Sequence, residues 1–482
     1  MANLKQLSLF LGPIFALLVF LSLQQSSLAS SICITAAVAV WCVTWWIFEP
    51  VPIPITSLLP IAIFPLAGVL TGEQVAAAYG NKLVLLLLGG FLLSTAIAHC
   101  GAHRRLALTM VHWFGSDNPK RLVLGFMVAC AVLSMWISNT AATLMLLPVA
   151  LAVIDSADNK KLGLPLLLGL AYAASVGGIS TPIGTPPNLV FMQVYEENTG
   201  LQISFTQWMG WAIPLVIVFI PIIWLWLTRK LENTGHCHLP KIGAWSTHEA
   251  RVMVIFGLTA LLWITRREPF GGWSGWLDLP QANDASVALL AVIALFVIPN
   301  GNKTELTGQK SGSMKLMPRG YKAEATQKLL DWKTAKQIPW GILLLFSGGI
   351  CLAKAFVASG LSTQLGEQLS AVTALSIIGM MAVIALCVTF MTEATSNTAT
   401  TAMLMPVLAA TAINADIDPL LLMIPATFSA SCAFMLPVAT PPNTIVFSSG
   451  HVHSNQMARE GFVLNLIGAV IVTAICWMLL AS

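Results

Sequence analysis

Two short polar motifs each occur twice in the sequence, and their side chains suit ion binding better than bond breaking. Ser138-Asn139-Thr140 recurs as Ser396-Asn397-Thr398, and Thr185-Pro186-Pro187-Asn188 recurs as Thr440-Pro441-Pro442-Asn443. Hydroxyl, amide and carbonyl oxygens are hard ligands, so they favour Na⁺ over zinc or copper, which prefer nitrogen and sulfur donors. The motifs therefore predict sites for small cations.

Helix ends must position these residues. In each Ser-Asn-Thr motif the serine or asparagine can cap the helix that follows, and in each Thr-Pro-Pro-Asn motif the threonine can cap a helix that begins at proline. Four such N-termini would each carry about +0.5 of effective charge, or about +2 together, which complements a dianion without an arginine. The opposite helix ends, predicted near Ser134, Gly184, Thr392 and Ala439, expose carbonyl oxygens that suit cations.

The composition places these helices in a membrane. Of the 482 residues, 57% are hydrophobic and 9% are charged, whereas about 25% of a soluble globular protein is charged. Apolar stretches long enough to cross a hydrocarbon core of about 30 Å recur along the whole chain. The net charge of +4 is too small to indicate nucleic-acid binding. The predicted fold class is an all-α polytopic membrane protein.

Eleven membrane crossings and two re-entrant hairpins are predicted. The crossings lie near residues 9–23, 32–48, 54–70, 82–99, 164–195, 208–228, 252–265, 285–299, 339–358, 419–448 and 461–480. The stretches 121–153 and 372–411 are too long for one span and carry the Ser-Asn-Thr motifs at their middles, so each is predicted to be a pair of half-length helices. The crossings 164–195 and 419–448 contain the other motif and are predicted to be broken helices. Non-helical backbone at membrane depth is tolerated only inside protein or beside a wet cavity.

The distribution of basic residues predicts the topology. Residues 1–30 resemble a secretory signal peptide but are treated as a retained first span. With the N-terminus in the cytoplasm and the C-terminus outside, 20 of the 24 Lys and Arg residues lie on the inner side. This bias predicts a multi-pass protein of the plasma (inner) membrane.

The motifs also reveal an internal repeat. Asn139 and Asn397 are 258 residues apart, Asn188 and Asn443 are 255 apart, and a Gly-Gly pair recurs at a similar spacing. Five crossings separate equivalent elements. Because five is odd, the repeats are predicted to be inverted across the bilayer, as in many secondary transporters.

The predicted domains follow from this repeat. Residues 1–80 are N-terminal scaffold helices, and 81–230 are the first repeat. Further scaffold helices fill 231–338, with a basic cytoplasmic loop at 300–338, and the second repeat is 339–482.

Other candidate chemistry is weaker. Nine scattered cysteines imply no disulfide framework, and His236-Cys237-His238 lacks a second cluster at zinc spacing, so it is interpreted as a solvated loop. Glu393 is interpreted as a helix-end carboxylate satisfied by neighbouring N–H groups, in preference to a proton or gating group. No Asp pair, Ser-His pair or His-Glu cluster indicates an enzyme, and no Gly-rich phosphate loop indicates an ATP-driven pump.

The paired motifs resemble those of the divalent anion/sodium symporters, a family that includes the sodium-coupled di- and tricarboxylate carriers. The resemblance covers nearly the whole chain. It implies two re-entrant hairpins and two broken helices around one substrate site flanked by sodium sites. It also implies a transport domain that moves against a dimeric scaffold.

The resemblance further implies roles for individual residues. The first sodium site would comprise Ser134, Ser138, Asn139 and Gly184. The second would comprise Thr392, Thr395, Asn397 and Ala439. The substrate carboxylates would meet Asn139, Thr140, Ser396, Asn397, Thr398, Thr440 and Pro441. Because both motif asparagines are intact, the sodium-coupled branch of the family is favoured.

These observations predict a homodimeric secondary transporter that couples Na⁺ to uptake of a C4-dicarboxylate such as succinate by an elevator-type mechanism. At least two Na⁺ sites are expected. One alternative is a sodium-independent anion exchanger, and another, of a different class, is an ion channel with re-entrant pore loops. The sequence does not separate dicarboxylate, citrate and sulfate as the anion.

Overall fold

The chain is almost entirely helical in the computed structural model, which describes residues 2–26, 28–115, 118–157, 159, 161–232, 243–268, 270–301, 327–368 and 376–481. Within these ranges the β-structure is one bridge between Pro299 and Lys328. His236-Cys237-His238 and most of the basic loop 300–338 lie outside the described residues.

Twelve helices occupy the first half of the described chain. They are α1 (Ala2–Gln25), α2 (Ser30–Phe48), α3 (Ile53–Thr56), α4 (Leu59–Leu66), α5 (Gly72–Tyr79), α6 (Lys82–Cys100), α7 (Ala102–Phe114), α8 (Pro119–Ser134), α9 (Asn139–Ser156), α10 (Gly163–Gly177), α11 (Pro186–Thr199) and α12 (Phe205–Thr228). A 3₁₀ turn, Gly178–Ser180, continues α10.

Eleven helices occupy the second half of the described chain. They are α13 (Thr247–Ile264), α14 (Gly272–Trp276), α15 (Asp284–Val297), α16 (Trp332–Ala335), α17 (Trp340–Ser359), α18 (Leu361–Gln368), α19 (Ile377–Thr392), α20 (Asn397–Asn414), α21 (Leu420–Ala430), α22 (Pro441–Ser448) and α23 (Ser454–Leu480).

Nine helical segments in the described ranges are long and apolar enough to cross a membrane. They are Lys5–Gln25, Ser30–Phe48, Gly72–Cys100, Asn139–Ser156, Gly163–Ser180, Phe205–Thr228, Thr247–Ile264, Trp340–Ser359 and Ser454–Leu480. Eight of these segments match predicted crossings, and Asn139–Ser156 is the second arm of the predicted hairpin 121–153. The predicted crossings near 54–70, 285–299 and 419–448 correspond to the shorter apolar segments Ile53–Leu66, Asp284–Val297 and Leu420–Ala430. The chain is therefore a multi-pass helical protein, while the count of eleven crossings stays a prediction.

Each Ser-Asn-Thr motif interrupts a pair of helices at the predicted place. The first pair breaks between Ser134 and Asn139, and the second breaks between Thr392 and Asn397. In both pairs the arms have 16 and 18 residues, or about 24 and 27 Å at 1.5 Å per residue. These arms are longer than the half-length helices predicted from the sequence.

The extra length of the first pair comes from its outer ends. The side chain of Asn118 caps α8 just ahead of Pro119, at the first helical position, where proline is tolerated. At the other end, α9 continues through the polar residues Asp155 and Ser156, beyond the apolar run 121–153. Hydropathy alone therefore placed both ends of this pair too far inward.

Both broken helices stop earlier than predicted. The first half-helices were predicted to end near Gly184 and Ala439, but α10 ends at Gly177, with its 3₁₀ turn reaching Ser180, and α21 ends at Ala430. In the first break Pro182 disfavours helical conformation at Thr181. In the second break the N–H groups of Phe434, Met435 and Leu436 bond the Glu393 carboxylate and are therefore not used to continue α21.

Prolines sit at equivalent places in the two breaks. Pro182 follows Thr181, which is extended (φ −127°, ψ 158°), and Pro437 follows Leu436 in the second break. Gly184 and Ala439 lie in the turns that lead to α11 and α22.

The two repeats pack into each other. The helix α11 of the first repeat packs against α20 of the second, and α22 of the second packs against α9 and α10 of the first. Both α10 and α21 are buried along almost their whole length, as expected for helices that are apolar on all sides. The buried Tyr172 hydroxyl donates a hydrogen bond to Phe434 O at 2.7 Å, which ties α10 to the second break.

Candidate functional site

A buried hydroxyl contacts the motif asparagine in each repeat. The Ser134 hydroxyl lies 2.6 Å from Asn139 Oδ1 and 2.7 Å from the carbonyl of Ala174. In the second repeat, Thr392 Oγ1 lies 2.7 Å from Asn397 Oδ1 and 3.1 Å from a helix-end carbonyl. Each hydroxyl carries one proton, so it can donate fully to only one of these two oxygen atoms at a time.

The breaks in the helices are held by the asparagines of the other motif. Asn188 Nδ2 donates to the carbonyls of Gly178 at 3.1 Å and Thr181 at 2.8 Å. Asn443 Nδ2 donates to carbonyls at the equivalent positions, 433 and 436, at 3.0 and 3.1 Å. Both asparagines are fully buried. These bonds satisfy backbone carbonyls that helix geometry would otherwise have used.

Close packing brings the predicted members of the first sodium site together. A Cβ at Gly178 would overlap Asn139 Oδ1, and a Cβ at Gly184 would overlap the carbonyl of Gly178. Glycine is therefore required where the break meets the tip of the helix pair. Ser134, Asn139 and Gly184 thus lie around one stretch of backbone.

The second predicted sodium set differs in detail. Thr395 Oγ1 lies 2.9 Å from the carbonyl of Met391 and 2.6 Å from Thr400 Oγ1, so this hydroxyl is engaged within its own turn. The N–H of Ala439 bonds the carbonyl of Leu436 at 3.2 Å. The corresponding Gly184 N–H bonds position 181 in the same way.

The predicted helix caps form in only one repeat for each motif. Ser138 Oγ accepts from the N–H of Ala141 at 3.2 Å, whereas Ser396 makes no side-chain cap bond. Thr440 Oγ1 accepts from the N–H of Asn443 at 3.3 Å, whereas Thr185 makes no side-chain cap bond. All four helices still begin at the predicted residues, and in α11 and α22 proline occupies the first helical position, where it is favoured.

The predicted substrate residues lie at the helix starts. Asn139, Thr140, Ser396, Asn397 and Thr398 are half-buried, while the neighbouring hydroxyls of the helix ends are fully buried. Thr440 is buried and Pro441 is exposed. The tips of both helix pairs are thus accessible from one side and packed on the other.

Glu393 is a buried carboxylate satisfied by N–H groups, as interpreted from the sequence. Its oxygens accept from the backbone N–H groups of Phe434, Met435 and Leu436 at 2.7, 2.8 and 2.9 Å, and from Asn465 Nδ2 at 2.7 Å. This carboxylate joins the tip of the second helix pair to the second break. Hydrogen bonds to a charged acceptor are stronger than neutral ones.

The first repeat makes the same connection without a charge. Met135 occupies the place of Glu393, and the Thr181 hydroxyl donates to its carbonyl at 2.5 Å. The two sites therefore share their neutral oxygens and asparagines but differ in formal charge. In the described part of the chain, no group of three or more His, Cys, Asp or Glu side chains could hold a metal ion.

The sequence matches known transporters along its full length. Residues 4–482 match the family described as the sodium:sulfate symporter transmembrane region. The chain is 37% identical to the sodium-dependent dicarboxylate transporter SdcS of Staphylococcus saprophyticus, over 99% of this chain and 92% of that protein. It is 39% identical to SdcS of Staphylococcus aureus strain USA300, over 98% and 90%.

A solved structure shares the fold. The YdaH transporter of Alcanivorax borkumensis is 14% identical and superposes with a TM-score of 0.53 over 87% of this chain and 88% of its own. At this identity the likeness concerns the fold alone.

Proposed function

This chain belongs to the sodium:sulfate symporter family of divalent anion:sodium symporters, and we propose that it couples Na⁺ to the uptake of a C4-dicarboxylate such as succinate. Relatives that share more than a third of its sequence over nearly its whole length are named as sodium-dependent dicarboxylate transporters. Proteins of this family are transporters, so the chain is not an enzyme.

One observation supports the assignment of the site most strongly. The Ser134–Asn139 contact and the Thr392–Asn397 contact are nearly the same length, and each lies where one helix ends and the next begins. Helix ends offer carbonyl oxygens to a cation, and helix starts offer N–H groups to an anion. A duplicated junction of this kind suits two cations on either side of one dianion.

The proposed roles follow this division. Ser134, Ser138, Asn139 and Gly184 would bind one Na⁺, and Thr392, Thr395, Asn397 and Ala439 would bind a second. The dianion would contact Asn139, Thr140, Ser396, Asn397, Thr398, Thr440 and Pro441. Two Na⁺ ions balance the charge of a dicarboxylate, which lowers the desolvation penalty of moving the loaded site through a low-dielectric region.

Uptake by purified protein in liposomes tests the coupling. Labelled succinate should accumulate when Na⁺ is outside and should fail to accumulate when K⁺ or choline replaces it. Equal uptake in Na⁺, K⁺ and choline would rule out coupling of transport to Na⁺. Uptake that requires a preloaded internal dicarboxylate would indicate an exchanger, and a non-saturating flux with single-channel conductance would indicate a channel. Competition by citrate and sulfate would define the anion.

We also propose an elevator-type motion in a homodimer. The end of α11 is bound to two neighbouring helices by ion pairs, since Lys82 Nζ lies 2.6 Å from Glu196 Oε1 and Lys354 Nζ lies 3.6 Å from Glu197 Oε1. If α11 moves against α6 and α17 during transport, both pairs must separate in every cycle.

A reversible cross-link tests this motion. The Lys82→Cys/Glu196→Cys double variant, once joined by a bis-maleimide cross-linker that contains a disulfide, should lose uptake and regain it with a reductant. The two single variants treated with the same cross-linker are the controls. Full uptake by the cross-linked protein would exclude movement of α11 against α6. The mass of the detergent-solubilised particle would test the dimer, and labelling of the two termini on intact cells would test the proposed cytoplasmic N-terminus and external C-terminus.

A further inference from the structure

Three buried amide oxygens of the described residues lack a hydrogen-bond donor, and two of them occupy equivalent places in the two repeats. Among the described residues, Oδ1 of Asn188 and Oδ1 of Asn443 have no partner, although both side chains are fully buried. Unpaired buried acceptors are uncommon because burial removes their water. The same unpaired oxygen occurs at two positions 255 residues apart, and this indicates a shared cause.

The orientation of both amides is determined by their neighbours. Each Nδ2 is surrounded by backbone carbonyls, which only accept hydrogen bonds. Rotating either amide would place Oδ1 against those carbonyls and leave Nδ2 in the unpaired position. Hence Nδ2, and not Oδ1, faces those carbonyls in each repeat.

In the first repeat Asn188 and the proposed sodium ligand Asn139 lie next to the same glycine. Asn188 bonds the carbonyl of Gly178, and a Cβ at Gly178 would overlap Asn139 Oδ1. Asn139 Oδ1 in turn contacts the Ser134 hydroxyl. Two asparagine amides therefore flank one glycine.

The second repeat shares the asparagine bonds but differs around them, because Ala433 stands where the first repeat has Gly178. Asn443 bonds the carbonyl of Leu436 at 3.1 Å, while the N–H of Leu436 bonds Glu393 Oε2 at 2.9 Å. Asn443 is therefore linked through one residue to the carboxylate that holds the helix tip.

We propose that Oδ1 of Asn188 and Oδ1 of Asn443 are ligands of the two co-transported cations, one in each repeat. Neutral amide and carbonyl oxygens are suited to a hard monovalent cation such as Na⁺. This inference rests on the proposed sodium coupling and adds to it a ligand from each Thr-Pro-Pro-Asn motif. It also gives each asparagine two tasks: Nδ2 holds the break, and Oδ1 faces the ion.

Thermal unfolding of the purified full-length protein, without succinate, tests the inference. Na⁺ replaces K⁺ at constant ionic strength, and the Na⁺ concentration that gives half of the stabilisation is measured. The Asn188→Leu and Asn443→Leu variants keep the side-chain size but remove the oxygen. They should raise the half-saturating Na⁺ concentration about tenfold or more, the scale of losing a metal-site partner.

The Asn188→Asp and Asn443→Asp variants separate the two tasks of the side chain. Aspartate keeps the oxygen but lacks the Nδ2 donors. Both Asp variants should unfold at a lower temperature in K⁺ yet retain Na⁺-dependent stabilisation. Gln193 provides a matched control, because it also lies in α11 with a buried, unpartnered amide oxygen but has serine at the equivalent position 448. Gln193→Leu should leave the half-saturating Na⁺ concentration unchanged.

The outcomes are distinct. Leu variants with the unsubstituted protein's Na⁺ dependence would overturn the inference, as would Asp and Leu variants that lose the Na⁺ response equally, since only the Nδ2 bonds would then matter. If the Leu variants do not fold, retained Na⁺ stabilisation of the Asp variants supports the inference and its loss overturns it. An unsubstituted protein that shows no difference between Na⁺ and K⁺ would instead refute the proposed function, and this inference with it.

Discussion

The carboxylate of Glu393 and the side-chain amide of Asn465 form a buried hydrogen bond of 2.7 Å between the tip of the second helix pair and α23. The same carboxylate also accepts three backbone N–H groups of the second break. Four donors converge on the two carboxylate oxygens, and a residue without a carboxylate at position 393 would leave at least one of them unpaired. Glu393 is therefore a structural centre of the second repeat.

Glu393→Ala should destabilise the protein by at least about 3 kcal/mol, because four buried donors lose their acceptor at roughly 1 kcal/mol each. Glu393→Gln should cost less, since one oxygen remains, but its Nε2 would face the N–H of a donor. The apparent unfolding temperature in detergent measures both. Glu73→Gln, at an exposed position, is the control. Equal unfolding temperatures for Glu393→Ala and the control would contradict this role.

Asn139→Ala and Asn397→Ala should each reduce Na⁺-dependent succinate uptake at least about tenfold, on the scale of losing one buried polar contact to a charged ligand. The two variants should behave alike because their contacts with Ser134 and Thr392 are nearly the same length. Asn414→Ala changes an exposed residue at the end of α20 and should retain uptake. Normal transport in both site variants would remove these asparagines from the site.

Gly178→Ala should abolish uptake and lower the unfolding temperature, because the new Cβ would overlap Asn139 Oδ1. Gly90→Ala is the matched control, since its Cβ would meet Ile183 at 3.6 Å, an ordinary contact distance. Initial uptake rates and surface expression should be measured together. Similar loss in the two variants would mean that any added methyl group is harmful here, and the specific packing of Gly178 on Asn139 would not be supported.

Acidification should destabilise the protein through His103, which lies in α7 outside the candidate spans and is 9% exposed. Burial lowers the pKa of His103 below its usual 6.5, opposed by its hydrogen bond to the carbonyl of Ile97 and assisted by the charge of Arg104. The unfolded chain therefore binds the proton more readily. This contribution to stability is complete above about pH 6.5 and is lost as the pH falls below it.

The measurement for His103 is the unfolding temperature between pH 7.5 and about pH 5, the range in which an ordinary histidine titrates. His103→Gln should show a shallower decline than the unsubstituted protein. Substitution of His451, which is exposed, is the control and should leave the slope unchanged. Parallel curves for all three proteins would assign the acid sensitivity to other groups.

The sequence was sufficient for the features that depend on short-range rules. Proline at position 186 or 441 and the Ser-Asn-Thr triplets located four helix starts, because proline and capping residues act within one turn. The same reasoning overlooked Pro182 and misplaced the two helix ends at Gly184 and Ala439. Residue preferences before proline would have corrected the first end, whereas the second depends on the distant Glu393, 41 positions before Phe434.

Other features depend on residues distant in the chain and were not available from sequence patterns. Ser138 forms a cap bond and Ser396 does not, although the two motifs are identical, so the difference must come from the residues packed around each hydroxyl. The partners of Glu393 lie some 40 and 72 positions further along the chain. The unpaired Oδ1 of Asn188 likewise depends on carbonyls that only the folded break brings to its side chain.

The crossed packing of the repeats affects how the protein is made. The helix α9 is synthesised early, yet one of its partners, α22, lies near the end of the chain, and α11 must likewise wait for α20. Domains that emerge first usually fold first, but here neither half can complete its interior alone. The packing around α9 and α11 is therefore completed only after the last helices of the chain have been synthesised and inserted.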